Sequence, residues 1–349
     1  MTRQTWTAFA SAILFVGLAI LLVVVPVPFV TWGPGGARNT LGQVGNEPII
    51  KVRGIDTYPT TGELDMTIVA ATAADGRLSL PQALVSYWLP HRDTLPRDSI
   101  YAPGKSAAQV EAEDADLMET AQDDAVVAAL RAADQPVSEM PVVSSVTVGG
   151  PAHRLLVPGD LIISVDGVPT PNVESVGARI RQHQVGERVS FLVWRKHVKT
   201  EVTLTTAQSS IQPGVAIVGI TVSIGYRYDP QISFDLGQRI GGPSAGLVFA
   251  LAIYDKITAG PLLAGRHVAG TGTITPNGDV GAIGAIQEKI GSAEKQGATA
   301  FLLPAANCAD LAGLKSKMTL IKVATLRDAV GALQTLDTPG GAEHTPACS

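Results

Sequence analysis

A long apolar run stands at the start of the chain. From Ala8 to Val25 the only polar residue is Ser11, and the apolar character continues to Val30. A run of this length is about what a helix needs to cross a bilayer, whereas the apolar core of a cleaved signal peptide spans roughly 7–15 residues. The pattern predicts an uncleaved N-terminal membrane helix, with a cleaved signal peptide as the alternative. We assign residues 1–32 to a short cytoplasmic stub and this helix.

The charges that flank the run favour one orientation. Arg3 and the amino terminus make the short side positive, and positively charged flanks are typically retained in the cytoplasm. We therefore expect a single-pass protein of the cell membrane whose long remainder lies on the extracytoplasmic side.

Residues 33–140 alternate between polar and apolar stretches. Residues 33–60 are rich in Gly, Pro and Asn and are typical of a linker with a first strand. The segment "GELDMTIVAAT" from Gly62 alternates as a strand does. A helix is predicted for "AQVEAEDADLMETAQDDAVVAALRAA", because small or apolar residues follow one face of it: Leu117, Ala121, Ala125, Ala128 and Ala129.

A small module with a different pattern spans residues 141–206. Its order is a strand, a segment of small residues, a turn, the strand "LIISVDG", the helix "VESVGARIRQH" and two further strands. Through "GPA" from Gly150, "PGD" from Pro158 and "VDG" from Val165, the module resembles PDZ domains of the bacterial protease-associated type. The resemblance implies a sheet edge to which an extended peptide adds as one more strand. A spacer that binds nothing is the alternative.

The pattern changes again after the module. Strands and helices mix without regular alternation over residues 207–336, which indicates an α+β fold class for this part. The Pro- and Gly-rich residues 337–349 are predicted to be a disordered tail. Cys308 and Cys348 are the only two cysteines, and the sequence leaves open whether they pair.

Charge and motif spacing exclude several functions. The formal net charge is −5 and no basic run is present, so we expect no binding of nucleic acid. The segment "APGKS" from Ala102 is similar to the end of a phosphate-binding loop, but Ser99 stands where that loop requires glycine. We therefore expect no ATP site, and we predict neither a cofactor nor a metal.

The pentapeptide GPSAG around Ser244 fits the G-x-S-x-G pattern of a nucleophilic serine. In an α/β-hydrolase an acidic residue and then a histidine follow that serine. Here His267 follows too closely and His344 lies in the polar tail. The α/β-hydrolase alternative predicts that one of these histidines is indispensable. A serine that merely caps the apolar helix after it is the alternative without chemistry.

A lysine downstream of Ser244 stands where the helical pattern expects a hydrophobic residue. In "IQEKIGSAEKQGA" the residues Ile286, Lys289, Ile290 and Ala293 fall at i, i+3, i+4 and i+7. Burial lowers the pKa of a lysine, and a neutral lysine accepts the proton of a serine. The same position also suits a lysine whose aliphatic stem packs at the edge of the apolar stripe.

Three blocks in this part of the chain carry a family resemblance. GPSAG, then "VAGTGTITPNGDVGAIGAIQEKI" and then "GATAFLLPAANCADL" resemble the proteolytic domain of Lon proteases in their order and spacing. With the apolar helix and the PDZ-like module, the chain is similar to the membrane-anchored, PDZ-containing Lon-like proteases of bacteria. The resemblance implies an ATP-independent serine endopeptidase that acts on proteins or peptides. It leaves homo-oligomerisation open.

The resemblance also implies roles for individual residues. Ser244 matches the nucleophile, and Lys289 matches the general base of a Ser–Lys dyad. Thr271 matches a threonine that helps to orient the lysine, and backbone N–H groups near Gly242 and Ser244 match the oxyanion hole. The strand "GELDMTIVAAT" and the helix near "METAQDDAVVAAL" are similar to the early part of the same domain. This similarity implies that the PDZ-like module is inserted within it.

Two positions depart from the family's pattern. Gly241 and Thr273 stand where many Lon enzymes have an acidic residue. The departures keep open a second hypothesis, in which the chain is a catalytically inactive membrane adaptor that binds peptides.

Overall fold

The chain forms two units, one of which is inserted into the other. In the computed structural model, which describes residues 3–196, 198–237 and 240–348, unit 1 comprises the chain up to Ala133 and the chain from Gln231 onward. Unit 2 comprises Asp134–Pro230.

The helices of the described residues are α1 (Arg3–Val24), α2 (Leu80–Trp88), α3 (Arg97–Ile100), α4 (Ala107–Ala132), α5 (Val173–Ile180), α6 (Gly246–Ile257), α7 (Ile286–Gln296), α8 (Leu326–Leu336) and α9 (Gly341–His344), with a 3₁₀ helix at Ala305–Leu311. The strands are β1 (Pro26–Val27), β2 (Phe29–Asn39), β3 (Gln43–Val44), β4 (Glu47–Pro48), β5 (Ile50–Arg53), β6 (Glu63–Ala71), β7 (Leu78–Ser79), β8 (Asp93–Pro96), β9 (Ser138–Val146), β10 (Leu161–Val165), β11 (Val168–Pro169), β12 (Arg188–Arg195), β13 (Val198–Thr205), β14 (Ala207–Gln208), β15 (Ala216–Ile217), β16 (Ile220–Arg227), β17 (Gln231–Phe234), β18 (His267–Gly270), β19 (Thr273–Ile274), β20 (Val280–Gly281), β21 (Ala300–Pro304) and β22 (Thr319–Val323).

Helix α1 is long and apolar enough to cross a membrane, and it is the one such helix in the described part of the chain. Its apolar span Gln4–Val24 has 21 residues, none of them buried. At about 1.5 Å per residue this span is about 31 Å long, which matches the roughly 30 Å hydrocarbon core of a bilayer. A membrane span and a signal sequence both have these properties.

A six-stranded mixed sheet forms the framework of unit 1, in the order β22-β21-β18-β6-β2-β8. Strands β22, β21, β18 and β6 run parallel, while β2 is antiparallel to both β6 and β8. Strand β6 precedes unit 2 in the chain and β18 follows it, so this pairing joins the two segments of unit 1. Helix α4 packs on α6, and α7 packs on β2 and β6.

Strand β2 occupies part of the segment in which the composition predicts a linker. The Gly-Pro-rich stretch is a bulge in this 11-residue strand, since the register with β6 shifts between Pro34 and Ala37. A Cβ at Gly35 would lie 2.6 Å from the main-chain nitrogen of Ala70, and Gly36 has a φ of +102°. The glycines therefore allow β2 to bulge and to approach β6 closely, and they do not form a linker.

Helix α4 begins where the sequence predicts a helix. The Ser106 hydroxyl accepts a hydrogen bond from the main-chain nitrogen of Gln109, which caps the first turn. The predicted buried face differs at one position: Leu117 is 46% exposed, and Met118 is buried in its place. The other members of the predicted face are buried: Ala121, Ala125, Ala128 and Ala129.

Unit 2 is a five-stranded path, β13-β12-β10-β9-β16, with β11 beside β10 and with α5 packed on the sheet. Its boundaries at Asp134 and Pro230 differ from the range 141–206 predicted from the sequence. The difference arises because β16 pairs with β9 along its whole length, from Ile220 opposite Val146 to Arg227 opposite Ser138. A strand that lies after 206 in the chain thus completes the sheet of the module.

The C-terminal segment differs from the predicted disordered tail. Residues Gly341–His344 form α9, and the Lys322 main-chain nitrogen donates to the carbonyl of Pro346. A disulfide joins Cys308 to Cys348, with the two Cα atoms 5.3 Å apart. The composition of the tail offers no periodic pattern, and these long-range bonds order it.

Candidate active site

Ser244 lies in the turn that leads into α6, one residue before the N-cap Ala245. The chain reaches this turn through Gly242, whose φ of +86° is unfavourable for a residue with a side chain. Helix α6 is buried nearly all round, which fixes the direction of the turn. The alternative of a serine that merely caps the helix does not hold, because the N-cap is Ala245 and the helix begins at Gly246.

The main chain of Ser244 is held by the strand that ends at Gly270. The carbonyl oxygen of Ser244 accepts hydrogen bonds from the Thr271 hydroxyl and from the Gly272 main-chain nitrogen, each at 2.9 Å. Thr271 is 1% exposed. The resemblance implies that Thr271 orients the lysine, whereas in the structure its hydroxyl contacts the serine's main chain.

The side chain of Lys289 meets Ser244 from α7. Its Nζ lies 2.9 Å from Oγ of Ser244 and donates to the carbonyl oxygen of Thr67 at 3.2 Å. Lys289 and its helical neighbour Ile286 are each 4% exposed, and Ile290 is 0% exposed. Periodicity left two readings of Lys289 open, and the structure shows the inward one.

Burial changes the chemistry of this amine. Removal from water disfavours the charged form and lowers the pKa of Lys289 to about 8. Among the described residues no carboxylate lies within 4.0 Å of its Nζ. Roughly a tenth of the amine is therefore neutral at pH 7, compared with well under a hundredth for an ordinary lysine, and a neutral amine accepts a proton from the hydroxyl beside it.

The start of α7 is fixed by a buried amide. The Asn307 side chain, 3% exposed, accepts a hydrogen bond from the main-chain nitrogen of Ile283 and donates one to its carbonyl, at 3.0 and 2.9 Å. Two residues later Ala285 has a φ of +57°, in the left-handed region that alanine rarely adopts. The Asn307 contacts and this turn set the direction of α7 and therefore the position of Lys289.

Two backbone amides near Ser244 are available to a ligand. In the part of the chain that the structure describes, the N–H groups of Ser244 and Ala245 donate no hydrogen bond to the protein. The N–H of Gly242, a predicted member of the oxyanion hole, donates to the carbonyl of Asp114 at 2.9 Å. The amides of Ser244 and Ala245 are thus the better candidates for binding an oxyanion.

The two departures from the family pattern have local explanations. A Cβ at Gly241 would lie 2.6 Å from Cβ of Asp114 on α4, so Asp114 already fills the space of a side chain at 241. Thr273 pairs with Gly281 in the small β19–β20 hairpin. Burial raises the pKa of Asp114, and the nearby Glu113 adds to the effect.

A cavity of about 510 Å³ opens at Ser244 and Lys289. Its walls come from β2, β6, α4 and the turns before α6 and α7, with Trp32, Met66, Met118 and Ala285 among the lining residues. A second cavity of about 1070 Å³ shares Met118, Ile240 and Gly241 with it.

The histidines of the α/β-hydrolase alternative have other partners. His267 Nε2 lies 2.8 Å from Oδ2 of Asp65 and 3.5 Å from Oε2 of Glu63, and His344 Nδ1 lies 3.1 Å from the carbonyl of Gly340. The ligand atoms of Glu63, Asp65 and His267 lie within 4.8 Å of one another, a spacing that a divalent cation accepts. Burial raises the pKa of Asp65 against the opposing effect of His267.

Two site contacts have no signal in the sequence. The Thr67 carbonyl that accepts from Lys289 is a main-chain atom, and any residue type supplies it. Asp114 reaches the site from a helix more than a hundred residues before Ser244, and only the fold brings them together.

Comparison with protein-family models identifies two domains. Residues 237–334 match the Lon protease (S16) C-terminal proteolytic domain. Residues 142–195 match the PDZ domain. The first match includes Ser244, Thr271 and Lys289.

Curated relatives match the same part of the chain. A Lon protease of Roseiflexus castenholzii is 44% identical over 70 residues, which are 20% of this chain and 8% of that protein. A Lon protease of Heliobacterium modesticaldum is 40% identical over 86 residues, 24% of this chain and 10% of that protein. The chain thus matches about a tenth of the length of these relatives.

Solved structures match the PDZ part. The PDZ domain of the SdrC-like protein from Listeria monocytogenes is 24% identical, with a TM-score of 0.22, and the match covers 24% of this chain and 86% of that one. As the sequence blocks predicted, the chain combines a Lon-type (S16) C-terminal proteolytic domain with a PDZ domain.

Proposed function

We propose that the chain is a membrane-anchored, ATP-independent serine endopeptidase that hydrolyses peptide bonds with Ser244 and Lys289. One observation carries the proposal: the Nζ of a buried lysine without a carboxylate partner lies 2.9 Å from the Ser244 hydroxyl. Burial alone gives this lysine a pKa of about 8, which suits a general base near neutral pH.

The chemistry follows from this geometry. Oγ of Ser244 attacks the peptide carbonyl carbon while its proton passes to neutral Nζ of Lys289. The amides of Ser244 and Ala245 stabilise the oxyanion, and the C–N bond breaks as Lys289 returns the proton to the leaving amine. Water then attacks the acyl ester, Lys289 takes its proton, and Ser244 regains a proton as the acid product leaves.

The Thr67 carbonyl keeps the amine pointed at Ser244. It accepts a hydrogen bond from Nζ at 3.2 Å, so the amine has a fixed partner besides the hydroxyl. Thr271 and Gly272 hold the Ser244 carbonyl at 2.9 Å, which fixes the nucleophile's main chain. Preorganisation of this kind lowers the cost of reaching the reactive geometry.

The PDZ domain is proposed to bind protein or peptide substrates. A groove of about 640 Å³ runs between α5 and β16, with Val176 and Ile180 on the helix and Ile220 and Val222 on the strand. Among the described strands, β16 lies at the edge of its sheet and pairs with β9 alone. An extended peptide would add to this free edge and place alternate side chains in the groove.

Helix α1 is proposed to be a single membrane anchor, with both units on the extracytoplasmic side. The disulfide between Cys308 and Cys348 supports this side, since disulfides persist mainly in oxidising compartments. ATP is scarce outside the cytoplasm, which fits a peptidase that needs none. The alternative is a catalytically inactive peptide-binding adaptor.

Cleavage of fluorescence-quenched peptides by the purified full chain in micelles separates the peptidase from the adaptor. The peptidase loses cleavage with Ser244→Ala and with Lys289→Ala. The matched control is Lys295→Ala, which removes an exposed lysine from the same helix and keeps full activity. Binding of peptides without any cleavage by the unsubstituted chain would establish the adaptor.

A further inference from the structure

Helix α2 presents its large apolar side chains outward. Ala83 and Ser86 face the body of unit 1 and are 5% exposed. The outward face carries five large apolar residues with exposed fractions between 42% and 73%: Leu84, Val85, Tyr87, Trp88 and Leu89. A helix on a water-facing surface shows the opposite arrangement, with polar residues outward.

The apolar face continues into a charge-free stretch of sequence. No charged residue occurs from Leu78 to Pro90, a run of 13 residues. Basic residues close the run on both sides, Arg77 before it and Arg92 after it. An apolar helix face with interfacial aromatics and basic flanks suits a lipid surface with anionic headgroups.

Strand pairing puts this helix next to the membrane helix. The two residues of β1, Pro26 and Val27, pair with Ser79 and Leu78 of β7. Helix α2 follows β7 directly, and α1 ends two residues before β1. Paired strands lie about 4.8 Å apart, so α2 starts one strand spacing from the chain that leaves α1. Helices α1 and α2 also contact each other.

The length of α1 sets the depth of α2. If Gln4–Val24 fills the hydrocarbon core, the core ends at about Val24. The β1–β7 pair then lies in the headgroup region, and α2 lies at the same depth. Tyr87 and Trp88, 69% and 73% exposed, stand where aromatic side chains are most favourable in a bilayer.

We propose that α2 lies in the bilayer interface as a second, non-spanning membrane contact of unit 1. The proposal rests on the proposed anchoring of the chain by α1. Its occupant is the lipid surface itself, argued from the continuity of the α2 face with the lipid-facing surface of α1. A second copy of the chain is the competing occupant, and the test distinguishes it.

Fluorescence of the full chain in phosphatidylethanolamine–phosphatidylglycerol vesicles tests the proposal. The chain has four tryptophans, and the Trp88 signal is the difference between the unsubstituted chain and Trp88→Phe. Two quenchers are compared: bromines on the lipid acyl chains and iodide in the water. The expected Trp88 signal loses most of its intensity to the bromines and little to iodide. Trp32→Phe is the matched control, because Trp32 lines the catalytic cavity and its signal should ignore the bromines.

Two outcomes overturn the proposal. A Trp88 signal quenched by iodide and not by bromine means that α2 faces water. A signal protected from both quenchers, with cross-linked dimers in the same vesicles, means that a second copy covers α2. Extraction with alkaline carbonate reports on the anchor separately: if the chain leaves the vesicles, anchoring by α1 has failed. If it stays and Trp88 is unquenched by bromine, only the α2 proposal has failed.

Discussion

A buried charged residue of unit 2, Asp160, and one of unit 1, Lys289, have opposite kinds of partners. In unit 2, Asp160 is 0% exposed, and Arg195 grips both its oxygens, at 2.7 Å from Nε and 2.6 Å from Nη2. The main-chain nitrogen of Val157 adds a third bond. In unit 1, Lys289 is 4% exposed, and its partners among the described residues are a hydroxyl and a carbonyl, with no carboxylate.

The contrast distinguishes a buried charge with a structural role from a buried amine that is able to transfer a proton. Asp160 accepts hydrogen bonds from Arg195 and from the Val157 main chain, and the bond with Asp160 raises the pKa of Arg195. Lys289 has only burial acting on it, which lowers its pKa. A buried charge that is fully paired holds a fold together, whereas a buried amine that is left unpaired is free to exchange its proton.

The largest expected effect comes from removal of the unpaired charge. Lys289→Met, similar in volume, should lower peptide cleavage by about 10⁴-fold, in the range seen when a catalytic base is lost. It should leave the free energy of unfolding equal or higher at pH 7, since no ammonium remains to be buried. Cleavage rates and urea unfolding measure the two quantities. If Lys289→Met lost as much stability as a protein loses when one partner of a buried ion pair is removed, the contrast between Lys289 and Asp160 would not hold.

Removal of Arg195 should have the opposite effects: a large loss of stability and no loss of peptide cleavage. Arg195→Met leaves Asp160 buried and unpaired, and such a loss typically costs about 3–5 kcal/mol. We expect the unfolding transition of unit 2 to shift by this amount, and cleavage of short peptides by the folded protein to stay unchanged. The control is the double variant Asp160→Asn with Arg195→Met, which should recover part of the stability. A cost below about 1 kcal/mol would mean that water pairs Asp160 instead.

The pH profile should reveal the unpaired lysine directly. Because the neutral amine is the reactive form in the proposed mechanism, kcat/KM should rise about tenfold per pH unit below the Lys289 pKa of about 8 and level off above it. Folding also depends on this pKa: it is below the unfolded value of 10.5, so stability should rise between pH 8 and 10.5. A kcat/KM that is flat from pH 6 to 9 would rule out Lys289 as the base.

Glu288 is a further buried ionisable residue, and a second acidic residue, Asp93, lies near it. It is 1% exposed, and burial, helped by Asp93, raises its pKa to about 7. The folded state therefore holds a proton that the unfolded state releases above about pH 4.5, and stability should fall as pH rises from 4.5 to 7. Glu288→Gln should remove this fall and gain up to about 3 kcal/mol at pH 8. Equal stability of both proteins at pH 8 would contradict the shift.

Glu288→Gln also serves as the control for the pH–rate profile. A midpoint that stays near 8 in this variant belongs to Lys289. A midpoint that moves with the substitution belongs to the neighbouring carboxyl.

The smallest effect is expected from the Thr271 hydroxyl, which holds the main chain of Ser244. Thr271→Val removes one neutral hydrogen bond to the Ser244 carbonyl, typically about 0.5–1.5 kcal/mol. We expect kcat to fall by about tenfold or less, with KM unchanged, in steady-state peptide assays. A loss as large as that of Lys289→Met would mean that Thr271 acts on the lysine itself.

What the sequence reveals about the site depends on how local the signal is. Lys289 is visible because helical periodicity is a local property, and its neighbours Ile286 and Ile290 are buried as that period requires. The contacts of Lys289 with Thr67 and of Gly242 with Asp114 join distant segments, and no local pattern encodes them.

The same reasoning applies to the fold. The strand predicted for residues 62–72 and the helix predicted for residues 108–133 agree to within a residue with β6 (Glu63–Ala71) and α4 (Ala107–Ala132). The Gly-Pro stretch of β2 was misread as a linker, since a bulge and a linker share a composition. Unit 2 extends beyond residue 206, the predicted end of the PDZ-like module, because β16 pairs with β9, and no local pattern encodes that pairing.

The pairing of Ser138 with Arg227 has a consequence for the history and engineering of the chain. Directly opposed residues of antiparallel strands have Cα atoms only about 5 Å apart, so unit 2 leaves and rejoins the chain at nearly one point. Unit 2 has nearly a hundred residues, yet unit 1 has to accommodate only two chain ends that are about as close together as those of a tight hairpin turn. Such a junction should let unit 2 be exchanged for another domain, or deleted and closed with a short turn, while the strand order of unit 1 stays intact.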